Sequence, residues 1–321
     1  MTENALLSKE WVNCLFCKSR NFKQLYPSLP TVVQCECGLV YTNPRLKEEN
    51  IRDFYSKNYF ESHSSQAMGY DNYVSDKELV EKTFRRRLAE LENQWLKRKG
   101  RVLDVGCATG FFLSIARDMG WQVSGVEISD YCCDYALREF GIKLHRVFFK
   151  DARDLGEPYD LITMWDYIEH SFDPTEDIRR AHALLAPSGF LAIATPDISS
   201  LPAKLFKHRW MGFKEHEHLY YFSRKNLTEL LEKTGFEVRS ASHIGKYISP
   251  KFFSKRLSEY SKLLGGLSEG LARLPWLDKA SFYCNPFDIV YLIVIINNTP
   301  FNFIQSISKH TGMITKYISF R

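Results

Sequence analysis

Between Arg101 and Pro196 the chain repeats one pattern: a short β-branched run, a turn, then an amphipathic helix. "RVLDV" reads as a strand, "GFFLSIARDMG" as a helix stopped by Gly120, and "WQVSGVEI" as the next strand. The helix "DYCCDYALREFG" and the strands "IKLHRV" and "DLITMW" follow. "PTEDIRRAHALLAPSG" is a helix with proline at its start and glycine at its stop, and "FLAIATP" is a fifth strand. Strands alternating with helices fold as a parallel sheet covered on both faces, so the fold class is α/β. Beyond it, the helix "SRKNLTELLEKTG", capped by Ser223, leads to the strand "FEVRSASHI". An insertion from about Tyr247 to Ala280 carries helical pieces such as "KRLSEYSKLL". "FDIVYLIVII" then closes the sheet, antiparallel either at its edge or one strand in.

That last run is the most apolar in the chain, yet it is about half the roughly 20 residues a membrane helix needs. No N-terminal stretch has the order of a secretory signal, so a cytoplasmic location is expected. A formal charge of +5 is too small to imply nucleic acid by itself. In a reducing compartment the eight cysteines are thiols rather than disulfides. Cys14, Cys17, Cys35 and Cys37 crowd into two knuckles joined by a hydrophobic arm that reads as a hairpin. So small a piece cannot bury a core, and a metal held by those four thiolates would supply its stability. The other four, Cys107, Cys132, Cys133 and Cys284, read as small core residues.

The expected organisation is a metal ribbon over residues 1–45 and a helical cap and linker over 46–96. The α/β domain, with its insertion, spans 97–298, and a tail of unassigned function spans 299–321. The cap contains "EENIRDFYSKNYF" and "KELVEKTFRRRLAELENQWL", and its run Arg85–Arg87 reads as a solvated helix face.

Ligands of an open parallel sheet bind beyond the C-terminal ends of its strands. Asp104 stands at the end of the first strand, with Gly106 and Gly110 in its turn, and Glu127 at the end of the second. Asp151 and Ala152 lie past the third, and Trp165 and Asp166 past the fourth. A dinucleotide site wants G-x-G-x-x-G, whereas here the order is Asp-x-Gly-x-x-x-Gly with Ala108 between the glycines. A pyrophosphate would meet repulsion from Asp104; a cofactor with a cationic amino-acid end would be welcome there. Glu127 has acceptors for both hydroxyls of a ribose, Asp151 for the exocyclic amine of an adenine, and Trp165 a face to pack on it.

The stretch Arg101–Pro196, with "LDVGCATG", "GVEIS" and "EHSFDP", resembles the class I S-adenosylmethionine-dependent methyltransferases of small molecules. The resemblance implies a Rossmann-like sheet of seven strands, the last antiparallel, and S-adenosylmethionine as cofactor. Ala108 departs from the family's glycine by one methyl. The N-terminal cysteines, followed by "LVYTNP", resemble the zinc-binding segment that precedes some sugar and natural-product methyltransferases. A four-thiolate Zn²⁺ site is closed and structural.

If the methyl acceptor is a hydroxyl or an acidic carbon, a base must remove its proton. His218 in "KEHEHLYYFS" is the first candidate, with Tyr220 or Tyr221 beside it, and His170 in "WDYIEH" is the second. Either histidine could instead tie its loop to the sheet. Asp166, Glu169 and His170 also resemble the acidic–acidic–His cluster with which quinone-ring O-methyltransferases hold a divalent cation. The expected acceptor is a small polar metabolite, a sugar or a nucleotide-linked sugar, methylated on oxygen or carbon. An RNA methyltransferase that docks its substrate on the ribbon is the alternative, and a non-catalytic scaffold the third. "MWDYIEH" lacks the N/D-P-P-Y/F of amino-nitrogen enzymes, and retention of Asp104, Glu127 and Asp151 speaks against a scaffold.

Overall fold

A computed structural model describes residues 8–51, 55, 77–96, 98–156, 158–260 and 280–297. Most of the expected cap between 46 and 76, part of the insertion, and the tail from 299 lie outside the described residues.

The ribbon holds strands β1 (Lys9–Glu10), β2 (Phe22–Tyr26), β3 (Leu29–Cys35), β4 (Val40–Thr42) and β5 (Arg45–Leu46). β2 and β3 form the expected hairpin, pairing Phe22 with Cys35, and β4 continues the antiparallel sheet. Helix α1 (Lys77–Gln94) follows, burying Phe84, Leu88 and Leu91 along one face. Arg85 and Arg86 are exposed as expected, but Arg87 turns inward. One face of a helix recurs every three to four residues, and Arg87 falls on the same face as Phe84 and Leu91. Its guanidinium lies 5.0 Å from the Trp165 ring and donates to the carbonyl of Gly245 at 3.3 Å.

The main domain runs β6 (Arg101–Val105), α2 (Phe111–Asp118), β7 (Gln122–Val126), α3 (Asp130–Phe140), β8 (Tyr159–Trp165), α4 (Pro174–Leu184), β9 (Leu185–Pro196) and α5 (Leu201–Phe206). Then come β10 (Tyr220–Tyr221), α6 (Arg224–Lys233), β11 (Phe236–His243), β12 (Lys246–Ile248), α7 (Pro250–Tyr260), β13 (Phe282–Cys284) and β14 (Ile289–Ile296). The helix starts are chemically specified: Ser129, Asp173 and Ser223 each accept from a backbone N–H in the first turn, at α3, α4 and α6.

The large sheet has the order β11-β14-β9-β8-β6-β7. β7, β6, β8 and β9 are parallel, and β14 enters antiparallel between β9 and β11, one strand in from the edge. This is the Rossmann-like mixed sheet anticipated, with six strands among the described residues. The expected strand "IKLHRV" contributes only a parallel bridge between Val126 and His145. Immediately afterwards Val147 N–H bonds back to the carbonyl of His145, and that tight turn ends the pairing.

The ribbon is stitched to this domain. β4 pairs antiparallel with β10, setting Tyr41 opposite Tyr220 and Val40 opposite Tyr221. The Thr42 hydroxyl donates to the carbonyl of His218 at 2.6 Å, and Thr31 donates through both N–H and hydroxyl to the Glu215 carboxylate.

Candidate functional site

The parallel register sets the ends of β6 and β7 side by side, Val105 against Val126, and β8 ends beyond them at Trp165. The turns leaving these strands open onto a cavity. Gly106, Ala108, Glu127 and Ile128 form one wall, Phe148 to Lys150 a second, and Asp166, Tyr167 and His170 a third.

Gly106 has φ of +69°, and a Cβ there would stand 2.5 Å from Cδ2 of Tyr167. Only glycine lets the turn pass under that ring. Gly110, at φ of +79°, caps α2 and is not on the cavity wall. Ala108 holds φ of +45°, the left-handed conformation glycine would adopt without strain. Its N–H donates to Glu127 at 2.9 Å, while Ile128 and Ser129 donate to the other carboxylate oxygen, each at 2.8 Å. Burial raises the Glu127 carboxyl above its usual range, and these backbone bonds pull against that shift. Each carboxylate oxygen has two lone pairs, so Oε1 is filled and Oε2 keeps one acceptor site for a ribose hydroxyl.

Asp104 lies one layer deeper than expected. It is 2% exposed, accepts from the Thr163 hydroxyl at 2.6 Å, and is absent from the cavity wall. Burial, with Glu127 nearby, pushes its carboxyl up to about 8 against the pull of Thr163. Asp151 is exposed, because the 3-10 turn Phe149–Asp151 carries it outward. Ala152 is wholly buried in the core. The wall there is instead Phe148, Phe149 and Lys150. Trp165 also lies off the cavity. Strand alternation sends it to the α1 side, against Phe84, Phe112 and Tyr291.

Of the two histidines, His170 opens on the cavity and His218, 4% exposed, lies behind it. Their rings meet edge-on, with centroids 4.7 Å apart. The contact follows from a backbone bond, Leu219 N–H to the carbonyl of Glu169 at 2.8 Å, which docks the 214–222 loop on the turn Ile168–His170. His170 Nδ1 is 2.9 Å from the carbonyl of Glu217 and from the hydroxyl of Tyr55; His218 Nδ1 is 2.9 Å from the carbonyl of Gly212. Carbonyls only accept, so Nδ1 carries the proton in both rings and the lone pair falls on Nε2. Burial lowers both imidazoles below their ordinary range and keeps them neutral. Tyr220 and Tyr221 are buried at the ribbon seam and are not on the cavity wall.

Three wall residues were invisible to motif reading. Tyr55 comes from the segment after the ribbon, and its carbonyl accepts from the Ser129 hydroxyl at 2.8 Å. Tyr167 donates to Asp177 at 2.8 Å, and Asp177 also accepts from Ser171. Burial raises Asp177 to about 6. Only the helical phase of Asp177, on the inner face of α4, could have signalled this.

In the ribbon, Sγ of Cys14 is 3.4 Å from that of Cys37, and Sγ of Cys17 is 3.3 Å from that of Cys35. All four sulfurs lie within 4.8 Å of one another. These separations are far longer than a disulfide bond of about 2.05 Å and close to the edge of a thiolate tetrahedron. Burial raises the thiols of Cys14 and Cys35, whereas the Ser19 backbone lowers that of Cys17. Four convergent thiols around one point are compatible with a Zn²⁺ ion.

A sequence profile of the family described as "Methyltransferase domain" matches residues 77–241. An uncharacterised protein of Methanocaldococcus jannaschii is 26% identical over 171 residues, covering 52% of this chain and 77% of that one. A ubiquinone biosynthesis O-methyltransferase of Nitrosospira multiformis is 32% identical over 100 residues, covering 29% of this chain. The match spans 42% of that relative's own length. Among solved structures, the magnesium protoporphyrin IX methyltransferase of Synechocystis with bound SAH superposes with a TM-score of 0.48 at 15% identity. That superposition covers 78% of this chain and all of the other. No helix among the described residues is long and apolar enough to cross a membrane.

Proposed function

The chain belongs to the methyltransferase-domain family, and from that premise we propose that it methylates a small polar metabolite with S-adenosylmethionine as donor. The observation that carries the reading is one cavity with Gly106, Ala108 and Glu127 on one wall and His170 on another. Glu127 would accept from a ribose hydroxyl at Oε2, and Ile128 with Phe148 would flank the adenine. The Cβ-free surface of Gly106 keeps the turn low enough for close approach. Asp104, behind this layer, ties β6 to β8 through the Thr163 hydroxyl. When bound, the cofactor supplies a methyl group on a sulfonium, which leaves as a neutral thioether.

His170 is the group best placed to take the acceptor's proton. The Glu217 carbonyl fixes its tautomer, its Nε2 lone pair is available, and burial keeps it neutral at physiological pH. His218 stands behind it as a positioning residue. Within a lining that is largely apolar, Asp166 and His170 offer polar groups to a hydroxylated acceptor, a sugar or nucleotide-linked sugar. The O-methyltransferase relatives favour oxygen as the atom methylated. The four cysteines would hold one structural zinc ion as thiolates.

Calorimetry with S-adenosylhomocysteine is the first test. Glu127→Ala should weaken binding by tenfold or more, about 1.4 kcal/mol, and unchanged affinity would sink the cofactor site. Methyl transfer to a panel of nucleotide-linked sugars, set against transfer to RNA, then tests the acceptor class. Transfer to RNA alone would overturn it.

A further inference from the structure

We propose that the insertion between β11 and β14 carries a binding site for a phosphate group of the acceptor, with Lys246 at its centre and Arg256 beside it. The proposal rests on the small-molecule acceptor reading above and narrows it to phosphate-bearing molecules, nucleotide-linked sugars among them.

Strand direction puts the insertion over the site. β14 runs antiparallel to both β9 and β11, so β11 is parallel to β9 and ends, at His243, on the side of the sheet where β9 ends at Pro196. The chain leaves the sheet there through β12, α7 and β13 and returns at Ile289, opposite Pro196. Open parallel sheets bind their ligands on that side, and Asp166 and His170 border the cavity there. β12 pairs antiparallel with β13, and two bonds dock the pair on α1. Tyr247 N–H donates to the Thr83 hydroxyl at 2.9 Å, and Arg87 donates to the carbonyl of Gly245. From α7, Arg256 reaches the loop after β9, with Nη1 3.2 Å from Sδ of Met211.

Lys246 stands where these elements meet. Its side chain is exposed to solvent, yet protein closes round the ammonium, and burial is the main cause that lowers it below its ordinary range. A cation reached by solvent but shut in on its sides lines a cleft. The charge of Arg256 lowers it further, Asp166 opposes, and Arg87 and Lys214 add to the repulsion. Asp166 joins the two regions, since it borders the cavity and its charge acts on Lys246.

Among the described residues no carboxylate comes within salt-bridge distance of the Lys246 ammonium. Its contact is the Phe252 ring, 5.1 Å from Nζ, and Arg256 lies over the same ring at 4.8 Å. Asp288 acts on Lys246 from farther off while accepting from Nε1 of Trp210 at 3.2 Å, and Lys214 is engaged by Glu217 at 3.0 Å. Two cations held against one aromatic ring repel each other, and an anion bound between them offsets that repulsion. A phosphate monoester carries about −1.5 to −2 near neutral pH and three outer oxygens, which suits an ammonium and a guanidinium fork together. A carboxylate brings one charge and two oxygens.

The test uses the full chain saturated with S-adenosylhomocysteine, so that the cofactor site does not take the probe. Inorganic phosphate is then titrated by calorimetry at low ionic strength. One phosphate per chain is expected, and Lys246→Met and Arg256→Met should each weaken it by about tenfold or more. Both variants should hold S-adenosylhomocysteine as tightly as the unaltered protein, which shows that they fold. Acetate should bind at least about tenfold more weakly than phosphate. Absence of phosphate binding in the unaltered protein would overturn the site, and so would binding indifferent to both substitutions. Acetate bound as tightly as phosphate would overturn the assignment to phosphate. The Glu127→Ala titration reads the cofactor site by itself, so failure of either reading is told apart from failure of the other.

Discussion

Replacing Asp104 by asparagine should change how stability depends on pH. The native carboxyl is pushed up to about 8 from 3.8, first by burial, then by the charge of Glu127, with the Thr163 hydroxyl opposing. Between those values the unfolded chain has lost this proton while the folded chain keeps it. Stability therefore falls as pH rises through the window, by at most about 1.4 kcal/mol per pH unit for one proton. From about pH 5 to about pH 7 the ceiling is roughly 2.7 kcal/mol. Relaxation and water entry at a buried site reduce it, so about 1–2 kcal/mol is expected. Asparagine keeps the acceptor that Thr163 donates to, yet has no proton to lose. Urea denaturation of the cofactor-free protein at several pH values reads the effect. The unaltered protein should lose stability relative to Asp104→Asn by that amount over the two units. Parallel curves for the two proteins would refute the reasoning, because they would show that Asp104 binds no extra proton in the folded state.

Gly106→Ala should destabilise the fold by about 1–3 kcal/mol and weaken S-adenosylhomocysteine binding, since a positive φ and the Tyr167 ring both resist a Cβ; thermal melting and calorimetry check the two effects. Elemental analysis should find zinc in the cysteine cluster, and Cys14→Ser with Cys17→Ser should remove it. Finding none in the purified protein would remove the ribbon's metal. His170→Gln should lower turnover while leaving S-adenosylhomocysteine affinity within about twofold; a matching fall in affinity would return His170 to a purely structural place. The Tyr55→Phe variant should keep the cofactor affinity and alter the pH profile of turnover, because its hydroxyl shares His170 Nδ1.

The sheet was legible because its signals are local. A strand buried on both faces, a glycine turn and a capped helix each write themselves into neighbouring residues, so β6, β7 and β8 fall where the pattern put them, while β9 begins at Leu185, inside the stretch read as helix to Gly189. "IKLHRV" misled because its alternation is that of a half-buried edge. Pairing on one side only, followed by the tight turn at Val147, is too little to sustain a strand. The cavity wall was legible at Gly106 and Glu127, at strand ends, and at His170, in the turn that follows β8. It failed at Trp165 and Asp151, where strand-end position is right but orientation is set by alternation and by a 3-10 turn. Orientation at a strand end depends on which residue is last to pair, and that shifts by one without any change in composition. The approach of His218 to Glu169 belongs to a third kind of information, a contact made by two loops distant in sequence.

The seam between β4 and β10 has a consequence for the order of assembly. The two cysteine knuckles and their hairpin precede β10 by about 180 residues of chain, so the proposed zinc site is complete in sequence long before β10 is made. The hydrogen bond from Thr42 to His218, however, spans 176 residues. Until that distant strand has been made, the outer edge of β4 presents unpaired backbone groups, an edge open to pairing with other chains. The ribbon is thus able to form before β10 has been made and is finished only with it. Truncation before residue 220 should leave the ribbon prone to self-association, read as a higher oligomeric state in the presence of Zn²⁺ than the full chain shows.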